Sequence, residues 1–207
     1  MGMIGTALSM SLDGFIAGSD GGTGGLHDWL TAGDIPSRFS PSFTMARPSV
    51  EFFDEGVAGT GAVIAGRRTY DVSHAWGGRG PVPGLPLVVL THRVPGSVPA
   101  GDPPYTFVSD GIEAAVGRAR EMAGGKRVHL MGESVVQQSI QAGLLDELII
   151  SLVPKILGRG VRLLDGLDAG RAGLEVVRVI DAPGVTHLTY RVIKEQRAGF
   201  PGGGPGA

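Results

Sequence analysis

Three segments of this chain share one chemical pattern, an apolar run that stops and hands over to cationic or hydroxyl side chains. The first is Val63-Ile64-Ala65-Gly66-Arg67-Arg68-Thr69-Tyr70. A buried strand that ends in glycine, followed at once by a helix opening with two arginines and a threonine, suits a phosphate. Helix N-termini expose unpaired N–H groups and a partial positive charge. Glycine lets a ligand approach the backbone, and arginine forks clamp phosphate oxygens. The same string also describes a surface helix start with solvated arginines. The second segment is Val88-Val89-Leu90-Thr91-His92-Arg93, which by itself is a basic turn. The third is Val128-His129-Leu130-Met131-Gly132-Glu133-Ser134-Val135, again strand, glycine and helix start. Ligands of parallel sheets collect beyond the carboxyl ends of the strands. Three such ends with the same chemistry could converge on one phosphate-rich ligand.

Other chemistries are excluded or unsupported. The chain has no cysteine, so disulfides and thiolate nucleophiles are absent. Its five histidines, at 27, 74, 92, 129 and 187, lie far apart with no metal-ligand spacing, so no metal is expected. His129 and His187 fall inside strand-like runs and read as ordinary sheet residues. Gly132-Glu133-Ser134 begins a nucleophile elbow, but Val136 stands where its second glycine belongs. No Walker loop is present, and no Gly-x-Gly-x-x-Gly follows the first strand. A net charge of -2 offers no basic field for a nucleic acid. The N-terminus lacks the pattern of a signal peptide. The most apolar run, residues 148–153, is too short to span a bilayer. A cytoplasmic, non-membrane protein is expected.

The elements that must position these residues alternate. Strand-like runs occupy residues 4–10, 62–65, 87–91, 105–108, 127–131, 147–153, 175–180 and 186–193. Several are continuously apolar, as in strands buried on both faces. Ile112, Ala115, Val116 and Ala119 mark one helix, with Asp110 as its N-cap. Residues 134–142 mark another, stopped by Gly143. After residue 153 only strands follow, so an α/β fold with a largely parallel sheet and a final antiparallel pair is predicted. Glycines and prolines in residues 18–61 predict a long loop with one or two short helices. The tail, residues 196–207, reads QRAGFPGGGPGA and is expected to be disordered, leaving one domain over residues 1–195.

In order and spacing, five blocks resemble the dihydrofolate reductase superfamily, and within it the reductase domain of bacterial riboflavin biosynthesis and related dihydrofolate reductase family proteins. They are Ser9-Met10-Ser11-Leu12-Asp13-Gly14-Phe15-Ile16-Ala17, Gly66-Arg67-Arg68-Thr69-Tyr70-Asp71, Leu90-Thr91-His92-Arg93, Ala142-Gly143-Leu144-Leu145-Asp146-Glu147-Leu148 and the run from Pro154 to Leu164. The likeness spans residues 3–194. It implies a dihydrofolate-reductase-like three-layer fold and an NADPH-dependent reductase. By the same resemblance, Gly66, Arg67, Arg68 and Thr69 match the segment that holds the pyrophosphate and the adenosine 2′-phosphate. Thr91, His92 and Arg93 match the loop that selects the 2′-phosphate. Met131, Gly132, Glu133 and Ser134 match the Gly-Gly turn under the nicotinamide and pyrophosphate. Ser9 and Ile16 match positions whose backbone meets the carboxamide. Glu133 departs from the second glycine of that turn, and its side chain is expected to point away from the pyrophosphate, because like charges repel.

Hydride transfer to a C=N bond is helped by a positioned acid. Glu51 lies nearest the place where the resemblance puts a carboxylate, and it also fits a solvated helix face. Asp13, in the Leu-Asp-Gly motif, is the other candidate; it either touches substrate or caps the turn before Gly14. Trp29 is expected to line the substrate pocket or to pack as a lid, and Trp76 to pack beneath the helix that starts at Arg67. The expected acceptor is a small heteroaromatic or imine-like molecule of pterin or ribosylaminopyrimidine type. The alternative is a non-catalytic binding protein with the same fold. Members of the resembled family are commonly homodimers joined through their C-terminal strands, for which residues 148–153 and 186–193 would serve.

Overall fold

The computed structural model describes residues 2–167 and 173–194, and the tail expected over 196–207 lies outside the described residues. In chain order the elements are β1 (Ile4–Ser11), β2 (Phe15–Ala17), a 3-10 turn (Asp28–Thr31), β3 (Ile35–Pro36), β4 (Thr44–Met45), α1 (Arg47–Ala58), β5 (Thr60–Gly66) and α2 (Arg67–Val72). A second 3-10 turn (His74–Gly78) leads to β6 (Leu87–Leu90), β7 (Thr106–Val108), α3 (Ile112–Met122), β8 (Arg127–Met131) and α4 (Glu133–Gln141). The chain closes with β9 (Glu147–Val153), β10 (Val161–Arg162), β11 (Gly173–Ala182) and β12 (Val185–Ile193).

Eight strands form one sheet in the order β11-β12-β9-β1-β8-β5-β6-β7. From β9 across to β7 every neighbouring pair is parallel. β12 runs antiparallel to β9, and β11 antiparallel to β12. This is the mostly parallel sheet with antiparallel C-terminal strands that the pattern predicts. Side chains alternate between faces, and the core divides accordingly. Ile4, Ile64, Val88, Val128 and Leu130 pack against Ile112, Ala115 and Val116 of α3 and Val135, Val136 and Ile140 of α4. On the opposite face Val63, Ala65, Leu87 and Val89 pack against Tyr70 of α2 and Ala75, with Trp76 at their margin. A third cluster joins Leu26, Trp29 and Met45 to Val50 of α1 and to Val153, Ala182 and Val185. The sheet is thus a central layer between α3 and α4 on one side and α1 and α2 on the other.

The region expected to be a long loop is more ordered than predicted. Residues 47–58 form a three-turn helix, and β5 begins two residues before the apolar run. Pro48, read as a breaker, stands in the first turn of α1. There a missing N–H leaves no helical hydrogen bond unmade, so the residue starts the helix. Asp110 is not the cap of α3; Gly111 takes that place with φ +93° and no side-chain cap. Residues 148–153, proposed as part of an interface, form β9 inside the sheet with Leu148, Ile149, Ile150 and Val153 buried. The edge strand is β11, which exposes Leu174, Val176, Val177 and Val179. No helix among the described residues is long and apolar enough to cross a membrane.

His187 departs from an ordinary sheet position. It is 1% exposed on β12, directly beside Ser151 of β9, which in turn lies beside Ser9 of β1. Its Nε2 is 3.0 Å from Ser49 Oγ of α1 and its Nδ1 is 2.9 Å from Ser151 Oγ. A neutral imidazole has one N–H and one acceptor nitrogen, so one serine accepts and the other donates. Phe52 stacks on the ring at 4.3 Å, and Trp29 meets it edge-on at 4.9 Å. Burial pushes the imidazole down to about 4, and burial together with Arg127 does the same to His129. Below about pH 6.5, the ordinary histidine value, the unfolded chain binds protons that the native state refuses. Stability is therefore full above that pH and declines as pH falls toward 4. The unfolding temperature should drop over this window, and His187→Gln should flatten the drop. An unchanged slope in the variant would mean that His187 is not held neutral in the core.

Candidate functional site

The parallel register places the carboxyl ends of β5, β6, β7 and β8 along one edge of the sheet, and a cavity of about 380 Å³ opens there. Small-molecule sites commonly span about 300–1,000 Å³. Each strand end contributes a short turn. β5 delivers Gly66, Arg67, Arg68 and Thr69, and β6 delivers Leu90, Thr91, His92 and Arg93. β7 delivers Ser109 and Gly111, and β8 delivers Gly132, Glu133 and Ser134, with Val135 and Gln138 of α4 behind them. The three sequence-predicted segments therefore meet in one cavity. Ser109 and Gly111 were missed, although Gly111 and Gly132 carry the same signal, a glycine at positive φ between a strand and a helix.

Two glycines shape the floor. Gly66 closes the wholly buried β5, and Gly132 enters α4 at φ +94°. A Cβ at position 132 would overlap Thr69 Oγ1. The turn after β8 therefore packs directly against the Thr69 side chain of α2, an approach that glycine at positive φ accommodates. The first N–H groups of α4 have no intrahelical acceptor and carry the positive end of the helix dipole.

The charged groups are unevenly engaged. Arg67 Nε donates to both carboxylate oxygens of Asp71 at 2.9 Å, and its Nη1 donates to the Arg93 carbonyl at 2.7 Å. The same carbonyl accepts from Thr91 Oγ1 at 2.9 Å, and Arg93 N–H donates back to Thr91 Oγ1 at 3.2 Å. The side chains of Arg68, His92 and Arg93 have no hydrogen-bonding partner among the described residues. Glu133 is among the residues that line the cavity, at the first position of α4. Its position in the first turn of α4 favours an anion there, so it opposes part of the cationic field.

The other predicted residues lie elsewhere. Ser9 is buried and accepts a 3.0 Å hydrogen bond from Trp29 Nε1, so Trp29 is a packed residue of the 3-10 turn. Ile16 lies on β2, paired with β10, and Met131 packs against the cluster beneath α2; Ser9, Ile16 and Met131 do not line the cavity. Asp13 accepts from Ser11 Oγ at 2.6 Å and from the N–H groups of Leu157 and Gly158 at 3.1 and 2.7 Å. The Ser11 hydroxyl leads these bonds in holding its carboxyl down to about 2. Through these contacts the carboxylate ties the loop after β9 to the turn after β1. Glu51 stands in solvent on α1, 3.8 Å from Arg47, with its side chain 66% exposed.

Comparison with known proteins bears on the whole of this architecture. The family model of the RibD C-terminal domain matches residues 3–181. A protein of Shewanella sp. PV-4 assigned to riboflavin biosynthesis superposes with a TM-score of 0.69 at 22% identity, over 94% of this chain and 100% of its own. The Thermotoga maritima diaminohydroxyphosphoribosylaminopyrimidine deaminase/5-amino-6-(5-phosphoribosylamino)uracil reductase gives 0.64 at 16% identity, over 93% of this chain and 57% of its own. Dihydrofolate reductase of Enterococcus faecalis, in complex with NADP(H) and RAB-propyl, gives 0.57 at 17% identity, over 92% of this chain and 96% of its own. No curated protein matches the sequence significantly. The fold is that of dihydrofolate reductase.

The crossing of Gly132 and Thr69 can be tested directly. Gly132→Ala should lower the unfolding temperature by several degrees, through both the Thr69 overlap and the positive φ. Adding Thr69→Ala removes the overlapping oxygen and should recover part of the loss. Failure of the double variant to recover anything would place the whole cost in the backbone conformation.

Proposed function

Since the chain belongs to the RibD C-terminal domain family, we propose that it is an NADPH-dependent oxidoreductase. It passes hydride to a small heteroaromatic or imine-like acceptor of pterin or ribosylaminopyrimidine type. The observation that carries this reading is the single cavity at the ends of β5, β6, β7 and β8, where the α4 N-terminus, two positive-φ glycines and the side chains of Arg68, His92 and Arg93 face one space. That donor set fits a ligand with several phosphate groups. NADPH, when bound, supplies the hydride. The N–H groups at Gly132 to Ser134 would hold the pyrophosphate, with Gly66 and Thr69 alongside. His92 and Arg93 would meet the 2′-phosphate, which NADH lacks. Protein groups supply orientation and electrostatics around the cofactor's own chemistry.

Titration with NADPH and NADH, followed by unfolding temperature and nicotinamide fluorescence, tests the reading. A ligand that binds only the native state raises its stability. NADPH should bind more tightly than NADH, and Arg93→Ala should weaken NADPH by about 1.5–3 kcal/mol, the worth of a charge-assisted contact, with NADH nearly unchanged. Equal losses for both would remove Arg93 from 2′-phosphate recognition. A second reading, nucleotide binding without turnover, draws on the engaged carboxylate of Asp13 and the solvent position of Glu51. Steady NADPH oxidation with a pterin or aminopyrimidine acceptor would exclude it.

The same reading includes a homodimer built on the C-terminal strands. Among the described residues β11 leaves one edge unpaired, and it exposes Val176 and Val179, each 58%, on the sheet's rim. An apolar edge strand of ten residues invites a partner strand. Light scattering should return about twice the chain mass of 21.3 kDa, and Val176→Lys with Val179→Lys should halve it. A monomer at all concentrations would end the dimer proposal.

A further inference from the structure

Arg67 is the residue of the β5 turn most expected to grip phosphate, yet its guanidinium is already committed. Nε faces the Asp71 carboxylate one helical turn on, and Nη1 reaches across 26 residues of sequence to the Arg93 carbonyl. That carbonyl also receives Thr91 Oγ1, so both its lone-pair directions are engaged. The loop of residues 91–93 is therefore closed on itself and tied to α2 through Arg67. His92 and Arg93 are exposed, and the chain beyond them runs into Pro95 and Gly96. On the other side, Thr91 N–H bonds the Val108 carbonyl at 3.0 Å. Arg68 and Arg93, in contrast, lack a carboxylate partner among the described residues.

We propose that Asp71 is a positioning residue for nucleotide selection: through Arg67 it fixes the loop of residues 91–93, so that the His92 and Arg93 side chains are presented to the cavity before a ligand arrives. Asp71 does not line the cavity, so it would not touch a ligand bound there. A preordered loop spares the ligand the cost of ordering it. This inference rests on the assignment of that loop to the 2′-phosphate, but its first consequence needs no nucleotide.

The sign of the effect separates this role from simple electrostatics. If Arg67 were a direct phosphate clamp that Asp71 merely restrains, removing the Asp71 charge would tighten NADPH and NADH alike. If Asp71 positions the loop, Asp71→Asn weakens NADPH by about three- to tenfold, the scale of one net hydrogen bond, and leaves NADH nearly unchanged. Amide hydrogen exchange of the nucleotide-free protein is the companion measurement. The Arg93 amide, which bonds Thr91 Oγ1, should exchange several-fold faster in Asp71→Asn than in the parent, while the sheet amides keep their rates. Asp71→Glu, which keeps the carboxylate, should restore most of the protection. Unchanged exchange at Arg93 in Asp71→Asn, or tighter binding of both nucleotides, overturns the proposal. A parent protein that binds neither nucleotide but shows the exchange difference would keep the strut and remove the NADPH reading, so the two failures are distinct.

Discussion

A side chain at position 132 would displace the Thr69 hydroxyl and strain a backbone held at φ +94°. The turn leaving β8 passes so close to Thr69 that a Cβ would occupy the threonine oxygen, and the rest of the cavity depends on that approach. It brings the N-terminus of α4 against the first turn of α2, although the two helices pack on opposite faces of the sheet. The two helix starts can meet only at the strand ends, and only because β5 and β8 are parallel neighbours in register, with Ala65 opposite Met131. A parallel sheet gives all its strand ends the same polarity, so β6 and β7 add their turns to the same edge. The cavity is a consequence of that register.

Electrostatics follow from the same crowding. A chain of net charge -2 has no general attraction for anions, so recognition must come from a local surplus. Arg68 and Arg93 supply it, whereas Arg67 is paired with Asp71 and spends its donors on the protein itself. Glu133 opposes the surplus from the first turn of α4. Affinity for a phosphate-bearing ligand is thus the balance between helix dipole and unpaired cations on one side and a single carboxylate on the other. How firmly the loop of residues 91–93 is held decides whether Arg93 counts.

The strand ends were legible because their signature is local: an apolar run, a glycine and a polar helix start within eight residues. The sheet order's antiparallel finish was legible from the absence of helix-forming pattern after residue 153. What stayed hidden depends on partners distant in sequence. Pro48 looks like a breaker until the helix that follows it is seen packed through Val50 and Phe53. His187 looks like one more alternating strand residue, and only the neighbouring registers of β1, β9 and β12 line it up with Ser151 and Ser9. Arg67 reads as a clamp because the Arg93 carbonyl that occupies it lies 26 positions away. Asp13 offered two roles, and the choice fell to Leu157 and Gly158, more than 140 residues further on. In each case the residue type was visible and the contact was not.

The central claim is that one phosphate-rich nucleotide occupies the edge where β5, β6, β7 and β8 end. Amide shift mapping of the isotopically labelled protein with 2′,5′-ADP, the phosphate-bearing half of NADPH without its nicotinamide, tests that claim most directly. Saturable shifts at Arg67 to Thr69, at Thr91 to Arg93 and at Gly132 to Ser134, with β11 and β12 silent, are the predicted result. Saturable shifts centred anywhere else, or no shifts at millimolar ligand, would contradict it.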